Sequence, residues 1–282
     1  MRLFTTLLLV FVLSVAAFAQ APDTVWTNYY GGVDDENFQD ASQTMDGGFI
    51  LVGDTREGPG SLGGYMVKID ANGTQQWTTS FGGSSYDYLK HVEQTPDSGY
   101  FICGYTGSFG SRRSAWVIRT DVNGDTIWTK VFGGADSDVC EAGEQTCDGG
   151  YILGCGSYSY GPGSSDIWLI KLDANGDSTW GRLYGSLGSD QVWGVDQTAE
   201  SGYAIFGTTN SYGTGTYDFH IFNADVNGDS FWQYRYGTEH STDRAYTGMQ
   251  TSDGGYIIAG YSDDSTRAAG GYDMYAVKTA AN

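Results

Sequence analysis

Five tryptophans set the period of the chain. Trp26, Trp77, Trp128, Trp180 and Trp232 follow one another at intervals of 51, 51, 52 and 52 residues. Each is followed four residues later by a second ring (Tyr30, Phe81, Phe132, Tyr184, Tyr236), and each of those rings by glycine. In a strand, positions i and i+4 share a face, so every copy offers two rings to one side. A helix aligns the same positions, but the surrounding Asn-Gly pairs and glycines disfavour one. A period of this length marks a supersecondary unit that is repeated and buries its faces against its neighbours.

Two further landmarks divide the unit. Gln-Thr, followed three residues on by Gly and an aromatic ring, begins at Gln43, Gln94, Gln145, Gln197 and Gln250 and runs into apolar stretches such as Ile50-Leu51-Val52. Asp-x-Asn-Gly begins at Asp70, Asp121, Asp173 and Asp225. In the third copy, the β-forming run from Asp166 to Leu172 meets Asn175-Gly176, a pair that tolerates the positive φ of a type I′ turn, and returns through Trp180. The first unit reads as strands over 37–44, 48–54, 65–70 and 75–81, with a variable loop at 55–63. Four antiparallel strands per repeat of about 50 residues is the arithmetic of a β-propeller blade.

The fifth unit shows three such strands, and the missing fourth, with its Trp, stands alone as Val25-Trp26-Thr27-Asn28-Tyr29-Tyr30-Gly31. The expectation is an all-β, five-bladed β-propeller of four-stranded antiparallel blades, the last closed by the N-terminal strand, which buries edges that would otherwise be open. The repeats fall at about 33–82, 83–133, 134–185, 186–237, and 238–282 with 24–31. An open solenoid of stacked sheets is the alternative.

Residues 1–19 are read apart from the fold. Arg2 supplies a positive charge, the chain is apolar from Leu7 to Phe18, and Ala17-Phe18-Ala19 is a small-x-small cleavage site. This is the pattern of a secretory signal peptide, leaving 20–282 as one propeller domain in an extracellular or periplasmic setting. The apolar run is shorter than the roughly 20 residues that span a bilayer, so no membrane insertion is expected. A net charge of −20, from 34 acidic and 14 basic residues, argues against nucleic acid and anionic membranes as partners. Abundant glycine and aromatics with scarce proline fit short strands and tight turns. Cys103, Cys140, Cys147 and Cys155 allow three disulfide pairings. Cys140 and Cys155 flank one predicted hairpin turn, so that pair is favoured.

The run aromatic-Gly-Gly, Gln-Thr-x-Asp-Gly-Gly-Tyr-Ile, Asp-x-Trp-Leu-Ile-Lys-x-Asp-x-Asn-Gly-Asp-x-x-Trp resembles the β-propeller repeats of secreted bacterial and archaeal surface proteins. It covers essentially all of 20–282. The resemblance implies a propeller and an extracellular setting, and it names no ligand.

Glu36, Asp87, Asp138, Asp190 and Asp243 open the first strand of each unit. Were that strand to line the axis, five carboxylates would ring one mouth of the tunnel, and hard cations such as Ca²⁺ take such ligands. The other reading gives each acid to backbone N–H groups of its own loop. Five-fold repetition favours it, because folding needs every copy. The Asp-x-Asn-Gly-Asp segments lack the sixth-position glycine and distal Glu of a calcium loop, and a hairpin turn accounts for them better. The column Lys68, Arg119, Lys171 and Lys278, interrupted by Asn223, reads as ion pairs to a neighbouring turn Asp.

Residues outside the pattern are His91, Glu93, Glu141, Glu144, Trp193, Asp196, His220, His240 and Arg244. Some five-bladed propellers are glycoside hydrolases, and Glu93, Glu144 and Asp196 hold equivalent places from which a carboxylate pair could hydrolyse a glycosidic bond. The sequence carries no nucleophile motif, His cluster or phosphate loop. The loops 55–63, 106–114, 157–165, 208–217 and 262–271 are rich in Gly, Ser and Tyr. Tyr158, Tyr160, Tyr212 and Tyr217 are the candidates to stack on sugar rings or peptide groups, with plain solvated connectors as the alternative. The expected function is that of an exported, monomeric, non-enzymatic binding or surface-interaction module for a glycan or a surface protein. It needs no cofactor unless the acidic column holds Ca²⁺. A carbohydrate-active enzyme and a structural cell-envelope domain are the rivals.

Overall fold

The computed structural model describes residues 23–57, 62–212, 216–238, 240–264 and 271–281. The expected signal peptide lies outside them, as do parts of the loops 55–63, 208–217 and 262–271.

Five antiparallel sheets follow one another along the chain, each a meander in sequence order. Blade one comprises β1 (Glu36–Gln43), β2 (Phe49–Thr55), β3 (Gly63–Ile69) and β4 (Gln75–Phe81). Blade two has β5 (Asp87–Gln94), β6 (Tyr100–Thr106), β7 (Ser114–Thr120) and β8 (Thr126–Phe132). Blade three has β9 (Asp138–Gln145), β10 (Tyr151–Ser157), β11 (Asp166–Leu172) and β12 (Ser178–Tyr184). Blade four has β13 (Asp190–Gln197), β14 (Tyr203–Thr209), β15 (Asp218–Ala224) and β16 (Ser230–Tyr236). Blade five has three strands, β17 (Asp243–Gln250), β18 (Tyr256–Ser262) and β19 (Asp273–Lys278). This is a five-bladed β-propeller.

The first strand of each blade packs on the first strand of the next, so β1, β5, β9, β13 and β17 are innermost. In blade two, β6 and β7 are buried at every position, whereas the outer β8 alternates between exposed and half-buried. Middle strands are covered on both faces by neighbouring blades and therefore read as continuous apolar runs. The result is four hydrophobic cores between five blades, with Leu89 and Ile102 in the first and Phe206 and Ile258 in the last.

The tryptophan period explains itself in these interfaces. The rings of Trp77, Trp128 and Trp180 lie on the turn glycines of the next blade, Gly124, Gly176 and Gly228, where an added Cβ would come within about 2.8–2.9 Å of the indole. Those glycines also take positive φ, from 79° to 83°. Close approach and left-handed backbone thus both demand glycine. The turn differs from the expected type I′. Only Gly176 is left-handed, Gly176 N–H donates to Asp173 O, Asp173 N–H donates to Asp177 O, and the ladder shifts register after Lys171. That is a type I turn closed by a glycine bulge. Asp173 Oδ1 fixes it by accepting from the N–H groups of Asn175 and Asp177, as the other turn aspartates do in their own copies.

The N-terminal segment does part of what was expected of it. Trp26 lies on Gly73, its Nε1 donates to Ala71 O and Tyr30 Oη donates to Gly73 O. Trp180 and Tyr184 make the equivalent bonds to Val226 O and Gly228 O. The segment therefore holds the place on blade one that a preceding blade's outer strand would hold. Among the described residues, however, it forms no strand, and no ladder joins it to β19. Its contacts run through side chains to blade one, so the last sheet keeps three strands. All four cysteines are thiols.

Candidate functional site at the propeller axis

Each innermost strand carries a β-bulge at the same place. Register shifts occur between Phe38 and Asp40, Leu89 and His91, Val192 and Gly194, and Ala245 and Thr247, and opposite Glu141 in blade three. The unpaired residues are Gln39, Lys90, Glu141, Trp193 and Tyr246. A bulge re-aims a side chain out of the pleat, and here all five line one axial cavity of about 500 Å³. Lys90, Glu141 and Trp193 also line an adjoining cavity of about 420 Å³ that opens among Tyr105, Arg113 and Tyr158. Together these form a funnel from the loop face to the axis.

This position carries five different residues, whereas the acid that opens the same strand and the glutamine that ends it recur in every copy. Trp193 and Tyr246 meet edge to face at 5.9 Å. Lys90 Nζ stands 3.7 Å from Glu141 Oε2. The Trp193 indole N–H and Gln191 Oε1 are buried without a hydrogen-bond partner. The Arg113 guanidinium lies 5.3 Å from the Tyr105 ring centroid, and Tyr105 stacks on Tyr88.

Below the bulges, a second ring of acids stitches blade to blade. Asp40 Oδ2 accepts from Val92 N–H at 3.0 Å, Glu93 from Gln145 N–H, Glu144 from Gln197 N–H, and Asp196 Oδ2 from Gln250 N–H at 2.8 Å. Glu93, Glu144 and Asp196 do hold equivalent places, as the sequence indicated. Each gives one oxygen to the backbone of the following blade. Burial pushes Glu144 up to about 7, the Gln197 amide opposes the shift, and the nearby Asp196 and Glu93 charges add to it. Glu93 and Asp196 are also raised by burial. Burial alone would lower His91, but Asp40 at 2.9 Å from its Nδ1 raises it, and the same contact holds Asp40 down against its own burial.

Of the acidic column, Asp190 alone is among the residues lining the funnel. Asp87 is fully buried and accepts from Thr106 Oγ1, from Ser108 Oγ at 2.6 Å and from Gly83 N–H at 2.9 Å. Asp138 accepts from Ser157, Ser159 and Gly134 N–H, and Asp190 from Thr209, Ser211 and Ser186 N–H. Asp243 accepts from Ser241 and Thr238 N–H, and Glu36 from Thr55 and Gly32 N–H. Each carboxylate is bonded within its own blade and entry loop. Among the described residues no group of three or more His, Cys, Asp or Glu has metal-holding geometry. The basic column meets the turn acids: Lys68 with Asp46, Arg119 with Asp97, Lys171 with Asp148, Lys278 with Asp253. In blade four Asn223 Nδ2 donates instead to Tyr256 Oη.

The four tyrosines are not gathered. Tyr158 is exposed at the rim of the funnel. Tyr160 Oη donates to Gly133 O and its ring meets Trp168 edge to face. Tyr212 Oη donates to Gly185 O, and Arg244 covers Tyr217 at 4.1 Å. Only Tyr158 joins the axial site.

No protein family matches the sequence, and no curated protein does. Among solved structures, the chain is similar to a protein of unknown function from Dyadobacter fermentans DSM 18053, at 11% identity and a TM-score of 0.55, covering 87% of this chain and 80% of that one. An endo-arabinase from Bacteroides thetaiotaomicron VPI-5482 gives 9% identity, a TM-score of 0.47 and coverage of 89% and 94%. The Pan2 WD40 domain of Neurospora crassa gives 9%, 0.38, 81% and 76%. The first likeness is one of fold. No helix among the described residues is long and apolar enough to cross a membrane.

Proposed function

We propose that the protein is an exported, non-enzymatic β-propeller, akin to the secreted surface repeats its sequence resembles, that binds a carbohydrate in the axial funnel. The observation that carries this reading is the bulge column: one residue per blade is re-aimed to the axis, and the five copies differ there as Gln39, Lys90, Glu141, Trp193 and Tyr246. Folding asks for the same residue in every copy, whereas recognition asks for a different one at each point of contact. Sugars present apolar C–H faces and hydroxyl edges. Tyr158, Trp193 and Tyr246 offer rings, and the Trp193 N–H and Gln191 Oε1 offer an unused donor and acceptor. The carboxylates best placed for hydrolysis already accept backbone N–H groups, which supports binding over turnover.

The enzyme reading keeps one observation of its own, Glu144 raised to about 7 as a general acid would be. A glycan array with the full chain, followed by product analysis on any glycan retained, separates the two. Retention without new reducing ends supports a binding module. Cleavage that disappears in Glu144→Gln replaces it with a hydrolase, and no retained glycan removes the carbohydrate reading.

A further inference from the structure

Three cysteine side chains meet in the core between blades two and three. Cys103 on β6, Cys140 on β9 and Cys155 on β10 are fully buried in one hydrophobic cluster with Phe101, Tyr151 and Leu153. The Cys140 S–H reaches Ala142 O at 3.4 Å. Cys155 stands directly opposite Cys140 in the β9–β10 ladder. The fourth cysteine, Cys147, is exposed on the turn between the same two strands. The sequence pointed to the 140–155 pair and gave no sign of Cys103 beside it.

The geometry points to a disulfide between Cys140 and Cys155, formed as the chain folds in the presence of a thiol–disulfide oxidant, with Cys103 kept as a buried free thiol. Directly opposed residues of an antiparallel pair have Cα atoms about 4.5–5.5 Å apart, inside the window of about 4.4–6.8 Å that a disulfide spans. Cys103 lies on β6 of the neighbouring blade, and β6 pairs with neither β9 nor β10. The Cys140 thiolate attacks one sulfur of a disulfide such as oxidised glutathione and expels a glutathione thiolate. The Cys155 thiolate then attacks the Cys140 sulfur of the mixed disulfide and expels the second. The protein loses two electrons and two protons, and glutathione disulfide becomes two thiols.

This reaction belongs to folding. Once the blades have packed, all three sulfurs are inaccessible and burial disfavours their thiolates. Two stable redox forms of one fold follow, which do not interconvert while the core stays closed.

The test uses the full chain, refolded from denaturant with oxidised glutathione or with a reductant. Cleavage after acidic residues places each cysteine on its own peptide, because Asp121, Asp138, Glu141, Glu144 and Asp148 separate them. The oxidised preparation is expected to be lighter by two hydrogens and to yield a linked peptide pair containing Cys140 and Cys155. Its Cys147 should be alkylated in the native state and its Cys103 only after unfolding. The Cys103→Ser variant should keep the link. Four alkylatable thiols after oxidative refolding, a stable glutathione adduct, or a link through Cys103 or Cys147 would each overturn the assignment.

Discussion

Interior and terminal blades carry the same strands but not the same burial. Leu89, Cys140, Val192 and Ala245 hold one position of the innermost strand and are at most 1% exposed, whereas Phe38, their counterpart in blade one, is 37% exposed. On the third strand, Ala115, Ile167 and Phe219 are fully buried, and their counterpart Met274 is fully exposed. Nothing in the local sequence distinguishes these residues as core or surface. In a ring of repeats the next blade supplies the burial, so the energy of a side chain depends on which interface it meets. Four interfaces are formed among the described residues, and the flanks of blades one and five are not packed on each other.

The widest gap should lie between Phe219→Ala and Met274→Ala. The first removes a ring from a closed interface and should cost about 3–5 kcal/mol in urea unfolding. The second should fall within about 0.5 kcal/mol of wild type. A Met274 variant as damaging as the Phe219 one would mean that another surface covers the flank in solution. The acidic column gives a second contrast. Asp190→Ala strands two hydroxyls and an N–H in a closed blade and should cost about 3 kcal/mol. Glu36→Ala, on the half-buried flank, should cost about 1 kcal/mol. Equal costs would break the comparison. Because these acids bond to their own loops, chelation by EDTA should leave the melting midpoint unchanged, and a lower midpoint would restore a structural cation.

The stitching acids yield a subtler effect with a definite sign. Glu144 has an unfolded value near 4.5 and is raised to about 7 when folded. The folded state therefore holds this proton more tightly. The stability that goes with it is fully present below about 4.5 and lost as pH rises through about 7. Unfolding free energies across that range should fall more steeply for wild type than for Glu144→Gln. Parallel profiles would show that this carboxyl is not buried against the next blade.

Much of the fold was legible because the repeat prints it five times. The four strands of the first unit fall within two residues of their predicted bounds. Their turn residues were found, although the turn type was not, since Asp-x-Asn-Gly serves either geometry until the φ of the Asn is known. The N-terminal segment was matched correctly to an outer strand by its Trp and Tyr, but pairing with β19 depends on closure between distant blades, which no local pattern encodes. Of the axial ring, Glu141 and Trp193 stood out as residues outside the pattern, but Gln39, Lys90 and Tyr246 did not, because the five members share no chemistry. A faint signal was available. Leu89 and Val92 lie in one core, as do Val192 and Val195, yet residues three apart face opposite sides of a flat strand. That broken alternation is the mark of a bulge, and it singles out Lys90 and Trp193. The loop tyrosines, chosen for their residue type, do not act together: Tyr160 and Tyr212 are spent on the carbonyls of Gly133 and Gly185, and Tyr217 lies under Arg244.

The most direct test of the axial site is calorimetric titration of the tightest glycan from the array into wild type, Trp193→Ala and Tyr160→Ala. The bulge residue should behave as a buried anchor, so the Trp193 variant should bind at least about 30-fold more weakly, while the Tyr160 variant should stay within a few-fold of wild type. Undiminished binding by Trp193→Ala, with loss on changing Tyr160, would place recognition on the loops and contradict the account.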